Sequence, residues 1–208
     1  MNNKIKSQFI EYFKNGCKEQ GQIKIGVEHE RFLFQGNDKK RIKYENLKKL
    51  FENLKKKNWE PIFEKEKIIG LKRKKQQITT EPGLQCELSG SPLDTIHQVC
   101  SESSNYLKEI KDASKGLDVH TASVGFDPFN DIASVPKNPK ERYKIMTKEM
   151  PKGGELSLEM MYQTCGIQIN YDYITENNFA KIFRIANYLV PLTIALYANS
   201  PFKNGKST

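Results

Sequence analysis

Four glutamates in this 208-residue chain have the types and spacing to act together as metal ligands: Glu28, Glu30, Glu81 and Glu87. In an extended chain, residues separated by an even number of positions lie on the same face. Glu28 and Glu30 would therefore share one face of a strand, and so would Glu81 and Glu87. Carboxylates that converge on one surface repel one another unless cations lie between them. Hard cations such as Mg²⁺ take oxygen ligands. The spacing therefore predicts a Mg²⁺ site, and the alternative is an amphipathic sheet with a solvated outer face.

Three strand-like stretches would position these side chains: QIKIGVEHERFLF (22–34), ITTEPGLQCELSG (78–90) and TCGIQINYDY (164–173). Each pairs an apolar face with a face of acids or amides, and Gln168 and Asn170 are the amides of the third stretch. In one antiparallel sheet, the apolar faces would pack on a core and the polar faces would line an open surface. Residues 78–90 are expected to form one strand, unless Pro82-Gly83 introduces a bulge.

Helical periodicity separates these strands. Apolar residues recur at helical spacing in 3–20, 43–57 and 92–114, the last with Ser91 as its predicted N-cap. A fourth helix is expected from Thr175 to Tyr197, kinked at Pro191, and its apolar interior predicts burial. The sequence thus predicts an α+β fold in a single domain.

Composition argues against several classes of protein. The net charge of +9 comes mostly from lysines that are not interleaved with aromatic residues, so we expect no nucleic-acid partner. No apolar run has the length of a membrane span, and we expect no membrane association. The four cysteines form no C-x-x-C motif, which favours a reducing, cytoplasmic location.

Several segments occur in an order that resembles the glutamate–cysteine ligase family of plant and proteobacterial type. They are IGVEHERFLF, EPGLQCELSG, SVGFDPF, ERYKIMTKEMPK, TCGIQINYDY and LVPLTIALYANSPF. The resemblance implies a glutamine-synthetase-like fold, in which a curved antiparallel sheet forms part of a funnel and helices pack on its outer face. It also implies that Mg²⁺ and ATP are used to join the γ-carboxylate of glutamate to the amine of cysteine, the first step of glutathione biosynthesis.

The resemblance assigns roles to particular residues. Glu28, Glu30, Glu81 and Glu87 would hold metal. Arg142, Gln168 and Asn170 would contact nucleotide or amino-acid substrate, and Gln168 lies where some related ligases have a metal-binding histidine. The γ-carboxylate would attack the γ-phosphate of ATP to give an acyl phosphate, from which the cysteine amine displaces phosphate. No residue is expected to act as a covalent nucleophile. Cys100 corresponds to a redox-regulated cysteine of plant members.

The length of the chain departs from the family. Its members are considerably longer, and residues 1–208 correspond to the N-terminal portion of a single catalytic domain. An antiparallel sheet cut in this way has an open edge, so we expect poor solubility or a homodimer that forms through that edge.

Three alternatives remain open from the sequence. The first is a related carboxylate–amine ligase with another amine acceptor. The second is a non-catalytic module that binds Mg²⁺–nucleotide or a partner. The third is a basic RNA-binding protein, whose affinity would fall steeply with salt.

Overall fold

A computed structural model describes residues 3–203 and 205–207 of the chain. Within these residues, eight strands form one open antiparallel sheet. They are β1 (Ile25–Gln35), β2 (Lys40–Arg41), β3 (Glu60–Glu64), β4 (Lys67–Arg73), β5 (Gln76–Thr80), β6 (Cys86–Ser89), β7 (Val119–Ala122) and β8 (Ile167–Tyr171). Two further short strands, β9 (Phe202–Lys203) and β10 (Lys206–Ser207), pair with each other.

Six α-helices accompany the sheet in the same described residues: α1 (Asn3–Asn15), α2 (Tyr44–Lys55), α3 (Ile96–Ala113), α4 (Glu141–Glu149), α5 (Ser157–Gln163) and α6 (Glu176–Tyr197). The predicted α+β class with a large antiparallel sheet is therefore confirmed.

The long strand β1 organises the sheet because its two halves have different partners. Its first half lies between β6 and β8, and its second half pairs with β2 and β7. From β6 the sheet continues through β5 and β4 to β3. Polar side chains of β1, β6 and β8 are thereby brought side by side.

The main core lies between one face of this sheet and the helices α2 and α3. α2 buries Leu47, Leu50, Phe51 and Leu54, a spacing of three and four residues that defines one helical stripe. These side chains pack with alternate residues of the strands, including Ile78, Cys86 and Leu88. Because side chains alternate along a strand, the residues between them face away from the two helices.

The stretch 78–90 is a β-hairpin and not the single strand expected from its sequence. β5 and β6 pair with Thr80 opposite Cys86, and residues 81–85 form the turn between them. The Glu81 amide donates to the Gln85 carbonyl oxygen, and Leu84 has a positive φ of 61°. Pro82-Gly83 therefore reverses the direction of the chain and does not form a bulge within one strand.

The start of α3 also differs from the prediction. Ser91 does not cap this helix, because residues that follow it are extended and the Leu93 backbone pairs with Ile25 of β1. Thr95 is the N-cap instead, and its side chain accepts from the Gln98 amide while the Gln98 side chain reaches back. This reciprocal pair is a capping box.

No residue of helix α6 is buried and most are exposed, whereas its apolar sequence had predicted burial. Strand β8 is likewise exposed, although Ile167, Ile169 and Tyr171 lie on the face that the core covers elsewhere in the sheet. The prediction of burial is wrong because no other part of the described chain covers these surfaces. By length and composition alone, α6 could cross a membrane. This is weak evidence for a membrane span, because core helices of soluble proteins meet the same criteria.

Candidate functional site

Acids and amides from three strands lie in register on the sheet face that is turned away from α2 and α3. Glu30 of β1 is directly opposite Glu87 of β6, which is opposite Thr79 of β5. In the next row, Glu28 lies between Ser89 of β6 and Gln168 of β8. The common face expected for Glu28 and Glu30, and for Gln168 and Asn170, is therefore confirmed, whereas Glu81 lies in no strand.

Glu30 shows the electrostatic cost of this arrangement. Burial, together with the charges of Glu81, Glu87 and Glu28, raises the pKa of Glu30 to about 7, against an opposing hydrogen bond from the Gly166 amide. That amide donates to Oε2 of Glu30 over 2.6 Å. Near neutral pH Glu30 is therefore divided between its protonated and ionised forms, and a cation would favour the ionised form.

Glu87 is buried and held by two hydroxyl groups. Thr79 Oγ1 and Ser89 Oγ both donate to Oε1 of Glu87, over 3.1 Å and 2.8 Å. Its other carboxylate oxygen, Oε2, has no hydrogen bond from these two hydroxyl groups. Thr79, Glu87 and Ser89 lie on the same face of the sheet. The alternation that directs Glu87 toward the site therefore also places beside it the two hydroxyl groups that orient it.

Glu81 lies in the hairpin turn and joins the cluster from there. Burial and the charge of Glu87 raise the pKa of Glu81, and Lys140, Tyr143 and Arg142 oppose the rise. Tyr143 places its hydroxyl 3.2 Å from Oε1 of Glu81, and an Arg142 Nη2 atom lies 3.9 Å from the same oxygen. The side chain of Arg142 is 63% exposed, so it is accessible to a ligand at the edge of the cluster.

The amides of β8 border the acids on the other side. The Asn170 side chain donates to Oε1 of Glu28 over 3.0 Å. Gln168 lies directly opposite Glu28 in the strand register and is exposed. All seven residues predicted for the site, including Arg142, thus lie on or beside one face of the sheet.

Sequence reasoning missed two buried residues next to Glu81. Asn138 and Lys140 lie in the loop before α4, and both donate to the Thr80 carbonyl oxygen. Lys140 is 6% exposed, and its ammonium interacts with the charges of Glu81 and Glu87. Loop residues have no periodicity, so nothing in the sequence distinguishes this one buried lysine from the other lysines of the chain.

The fit of a divalent cation can be judged from the donor set. Glu28, Glu30, Glu81 and Glu87 supply only carboxylate oxygens, which suits Mg²⁺. In residues 3–203 and 205–207, no three His, Cys, Asp or Glu side chains are grouped as a formed metal site. The donors fit the ion in kind, and their present hydrogen bonds to Gly166, Asn170, Thr79 and Ser89 would have to rearrange on binding.

Two of the cysteines, Cys86 and Cys100, lie away from this face. Cys86 is fully buried in the main core, as its strand parity predicts. Burial raises the pKa of Cys86 to about 11. Cys100 is a free, exposed thiol on α3, and its redox role stays a prediction.

The fold and site define a class: an α+β protein whose open antiparallel sheet presents clustered glutamates. The model of the glutamate-cysteine ligase family 2 matches residues 24–208. The chain belongs to this family.

Several plant proteins are similar over nearly the whole chain. It is 41% identical to a chloroplastic glutamate–cysteine ligase of Medicago truncatula over 202 residues, which are 97% of this chain and 40% of that protein. Glutamate–cysteine ligase A of Oryza sativa subsp. japonica is 40% identical, over 97% of this chain and 41% of the relative. The chain therefore spans about two fifths of the length of these relatives.

The expectation of a cytoplasmic location is wrong by this comparison. The proteins from Medicago truncatula, Oryza sativa subsp. japonica and Arabidopsis thaliana are all named as chloroplastic. The prediction of a cytosolic location rested on the cysteines, which are free in the structure. Free cysteines indicate a reducing compartment, but they do not show which one.

Proposed function

We propose that this chain is part of an enzyme that joins the γ-carboxylate of L-glutamate to the amine of L-cysteine, using ATP and passing through γ-glutamyl phosphate. This would be the first step of glutathione biosynthesis. Membership of the ligase family supports the reaction. The chain covers two fifths of its relatives, so the proposal assigns it the acid-lined part of an active site.

The observation that carries the proposal is the pairing of Glu30 with Glu87 across β1 and β6. Two carboxylates directly opposite each other in a sheet destabilise the folded chain, and burial near the other acids raises the pKa of Glu30 to about 7. A surface selected only for stability would place a cation or a neutral side chain at one of these positions. The acid pair is therefore better explained by a ligand that carries positive charge.

We infer that Mg²⁺ is that ligand and that Glu28, Glu30, Glu81 and Glu87 would hold it. When bound, the ion supplies the neutralisation of phosphate and carboxylate charge that phosphoryl transfer requires. The carboxylates would orient the ATP phosphates through it. No side chain is needed as a covalent nucleophile, because the substrate carboxylate is itself the attacking group.

Polar side chains around the acids would bind the substrates directly. The guanidinium of Arg142 is exposed beside Glu81 and suits a carboxylate or phosphate, which it can bind with two parallel hydrogen bonds. Gln168 and Asn170 offer amide donors and acceptors on the opposite side of Glu28. These three residues would fix the position of the glutamate or the nucleotide relative to the acids.

We also propose that the chain forms a homodimer. The support is the exposed edge of β8 together with the exposed apolar side chains of β8 and α6. Unpaired strand edges form hydrogen bonds with other chains readily.

The reaction is tested by measuring phosphate release from ATP with glutamate, cysteine and Mg²⁺. The 208-residue chain is assayed alone and as a chimera in which it replaces the matching segment of the Medicago truncatula relative. We expect the chimera to release phosphate only when both amino acids are present. The Glu81→Gln, Glu87→Gln double variant should lose this activity by about 100-fold or more, because it removes two metal-binding charges.

The matched control is Glu141→Gln, an exposed acid on α4 that pairs with Lys144 and lies outside the cluster. It should leave phosphate release unchanged. Activity of the chimera that persists in the Glu81, Glu87 double variant would contradict the proposed site. A chimera that is folded yet inactive while the unmodified relative is active would contradict the assignment of this chain to the same reaction.

A further inference from the structure

Three buried polar residues converge on the backbone of Thr80 and Glu81. Their side chains come from Asn138, Lys140 and Tyr143, and together we name them the Glu81 support. The Thr80 carbonyl oxygen accepts from Lys140 Nζ over 2.8 Å and from Asn138 Nδ2 over 2.9 Å. The Asn138 amide also lies 3.0 Å from the Glu81 carbonyl oxygen. This short segment is therefore fixed from the side of α4.

Tyr143 is the member that reaches the carboxylate itself. Its hydroxyl lies 3.2 Å from Oε1 of Glu81 and 3.3 Å from the Thr80 carbonyl oxygen. A phenol has one proton to donate. The Thr80 oxygen already has two other donors, and a bond to a carboxylate is stronger than a bond to a carbonyl. The proton is therefore best used on Glu81, while Arg142 donates to the phenol oxygen.

The burial of these groups indicates more than packing. Asn138, Lys140 and Tyr143 are 4%, 6% and 2% exposed. Within the described part of the chain, no carboxylate lies at ion-pair distance from Lys140, although a buried ammonium is costly without one. The positive charge is instead held near Glu81 and Glu87, where it offsets the repulsion between these acids.

We propose that Tyr143, backed by Asn138 and Lys140, is a positioning residue that orients the Glu81 carboxylate for the divalent cation. This inference rests on the proposed function, because it concerns the same metal site. Groups that hydrogen-bond a metal ligand fix its orientation, and their removal costs about 10- to 100-fold in metal affinity. The Glu81 support would fulfil that role from outside the sheet.

The test is a Mn²⁺ titration of the 208-residue chain at pH 8, followed by electron paramagnetic resonance of the free ion. Tyr143→Phe keeps the ring and removes only the hydroxyl group. We expect the dissociation constant to rise about tenfold. The matched control is Tyr162→Phe, another buried tyrosine, whose hydroxyl contacts Thr147 and not an acid. This control should leave the dissociation constant unchanged.

A double-mutant cycle separates positioning from a general loss of structure. If Tyr143 acts through Glu81, then Tyr143→Phe should have no further effect on Mn²⁺ affinity once Glu81→Gln is present. Thermal unfolding of each variant is measured in the same buffer. Additive losses, or an equal loss in Tyr162→Phe, would show that the hydroxyl serves folding alone and would overturn the inference.

The outcomes also separate this inference from the function on which it rests. If the unchanged chain binds no Mn²⁺, or if Glu87→Gln binds it equally well, the metal site is wrong and the inference with it. If Glu87→Gln abolishes binding and Tyr143→Phe does not weaken it, the metal site stands and the role of Tyr143 is refuted.

Discussion

Glu30 is the residue where the sheet register has its clearest electrostatic effect. Its pKa is raised from the ordinary value of 4.5 to about 7, chiefly by burial and then by the neighbouring acids. The folded chain therefore binds a proton between these pH values that the unfolded chain has released. Stability consequently falls as pH rises through this window.

We predict that Glu30→Gln stabilises the metal-free chain at pH 8 and has little effect at pH 4.5. The rise in pKa corresponds to at most about 3 kcal/mol, and solvent around this partly exposed group should reduce the gain to about 1–2 kcal/mol. The measurement is urea unfolding in EDTA at both pH values. Glu66→Gln, an exposed acid in the turn between β3 and β4 and outside the cluster, is the control and should show no such difference between the two pH values. A gain that is equal at both pH values would contradict the electrostatic origin.

Residue-level prediction succeeded where periodicity carries information. Glu28 and Glu30 are two positions apart in β1, so alternation alone assigns them to one face. Glu81 and Glu87 do not share a strand face, because Glu81 lies in the turn of the hairpin, yet their carboxylates still interact. Asn138 and Lys140 were missed because contacts between a loop and a turn 60 residues away follow no local pattern.

At the scale of elements, the β5–β6 hairpin determines where Glu81 lies. Its turn packs tightly against the end of α5: a Cβ atom on Gly83 would lie 2.5 Å from the Tyr162 carbonyl oxygen. Gln85 secures the same turn, because its side chain accepts from the Gly83 amide and donates to the Met161 and Thr164 carbonyl oxygens. The E-P-G-L-Q motif is thus explained by local geometry as well as by its carboxylate.

We predict that Gly83→Ala destabilises the chain by about 1–3 kcal/mol, because a methyl group cannot be accommodated against a backbone oxygen without movement. The same movement should displace Glu81 and weaken Mn²⁺ binding. Gly154→Ala is the matched control, since a Cβ atom there would meet nothing within 4 Å. Urea unfolding of both variants is the measurement. Equal stabilities would show that the turn can relax at no cost.

A buried ion pair joins the hairpin turn to β2 and α5. The side chains of Arg41 and Asp127 are both 0% exposed and lie 3.1 Å apart. Arg41 also donates to the carbonyl oxygens of Gly83 and Tyr162. One guanidinium therefore connects β2, the turn and α5.

We predict that Arg41→Met lowers the free energy of unfolding by about 3–5 kcal/mol, because it leaves the Asp127 carboxylate buried without its partner. Lys40→Met is the control: its ammonium pairs with Asp38 and its side chain is largely exposed, so we expect a change within about 0.5 kcal/mol. Thermal and urea unfolding report both. A small loss in Arg41→Met would contradict this, and would mean that the hydrogen bonds from Phe129 and Asn130 are enough to hold Asp127.

Elements were predictable in proportion to their regularity. α2 was predicted within two residues because its apolar stripe and its lysines separate cleanly. The single strand expected at 78–90 is wrong because the local sequence around Pro82-Gly83 fits a bulge as well as a turn, and long-range contacts of Gly83 and Gln85 favour a full reversal. Nothing in residues 91–95 alone indicates that pairing with Ile25 delays the start of α3.

At the scale of the whole molecule, the apolar side chains next to α2 and α3 are buried, whereas those of β8 and α6 are exposed to solvent. The core between the sheet and α2 and α3 is closed, whereas β8 and α6 expose a series of large apolar side chains: Ile167, Ile169, Tyr171, Tyr188, Leu192, Ile194 and Leu196. Contiguous apolar exposure of this kind marks interaction surfaces in folded proteins. No sequence pattern predicts this exposure, because an apolar helix has the same pattern whether or not another part of the protein covers it.

The remaining prediction concerns self-association through the β8 edge. Sedimentation velocity over a concentration series should show a dimer that dissociates on dilution. Ile169→Lys should shift the equilibrium toward monomer, because a charged side chain on an edge strand opposes pairing with another chain. The thermal unfolding of the Ile169→Lys variant should change little, since Ile169 is already exposed. Phe63→Lys, another exposed apolar site, on β3 at the far edge of the sheet, is the control and should leave association unchanged. If Phe63→Lys disperses the dimer and Ile169→Lys does not, association occurs through the β3 edge. A chain that is monomeric at every concentration would instead mean that the apolar side chains of β8 and α6 do not bind a second copy.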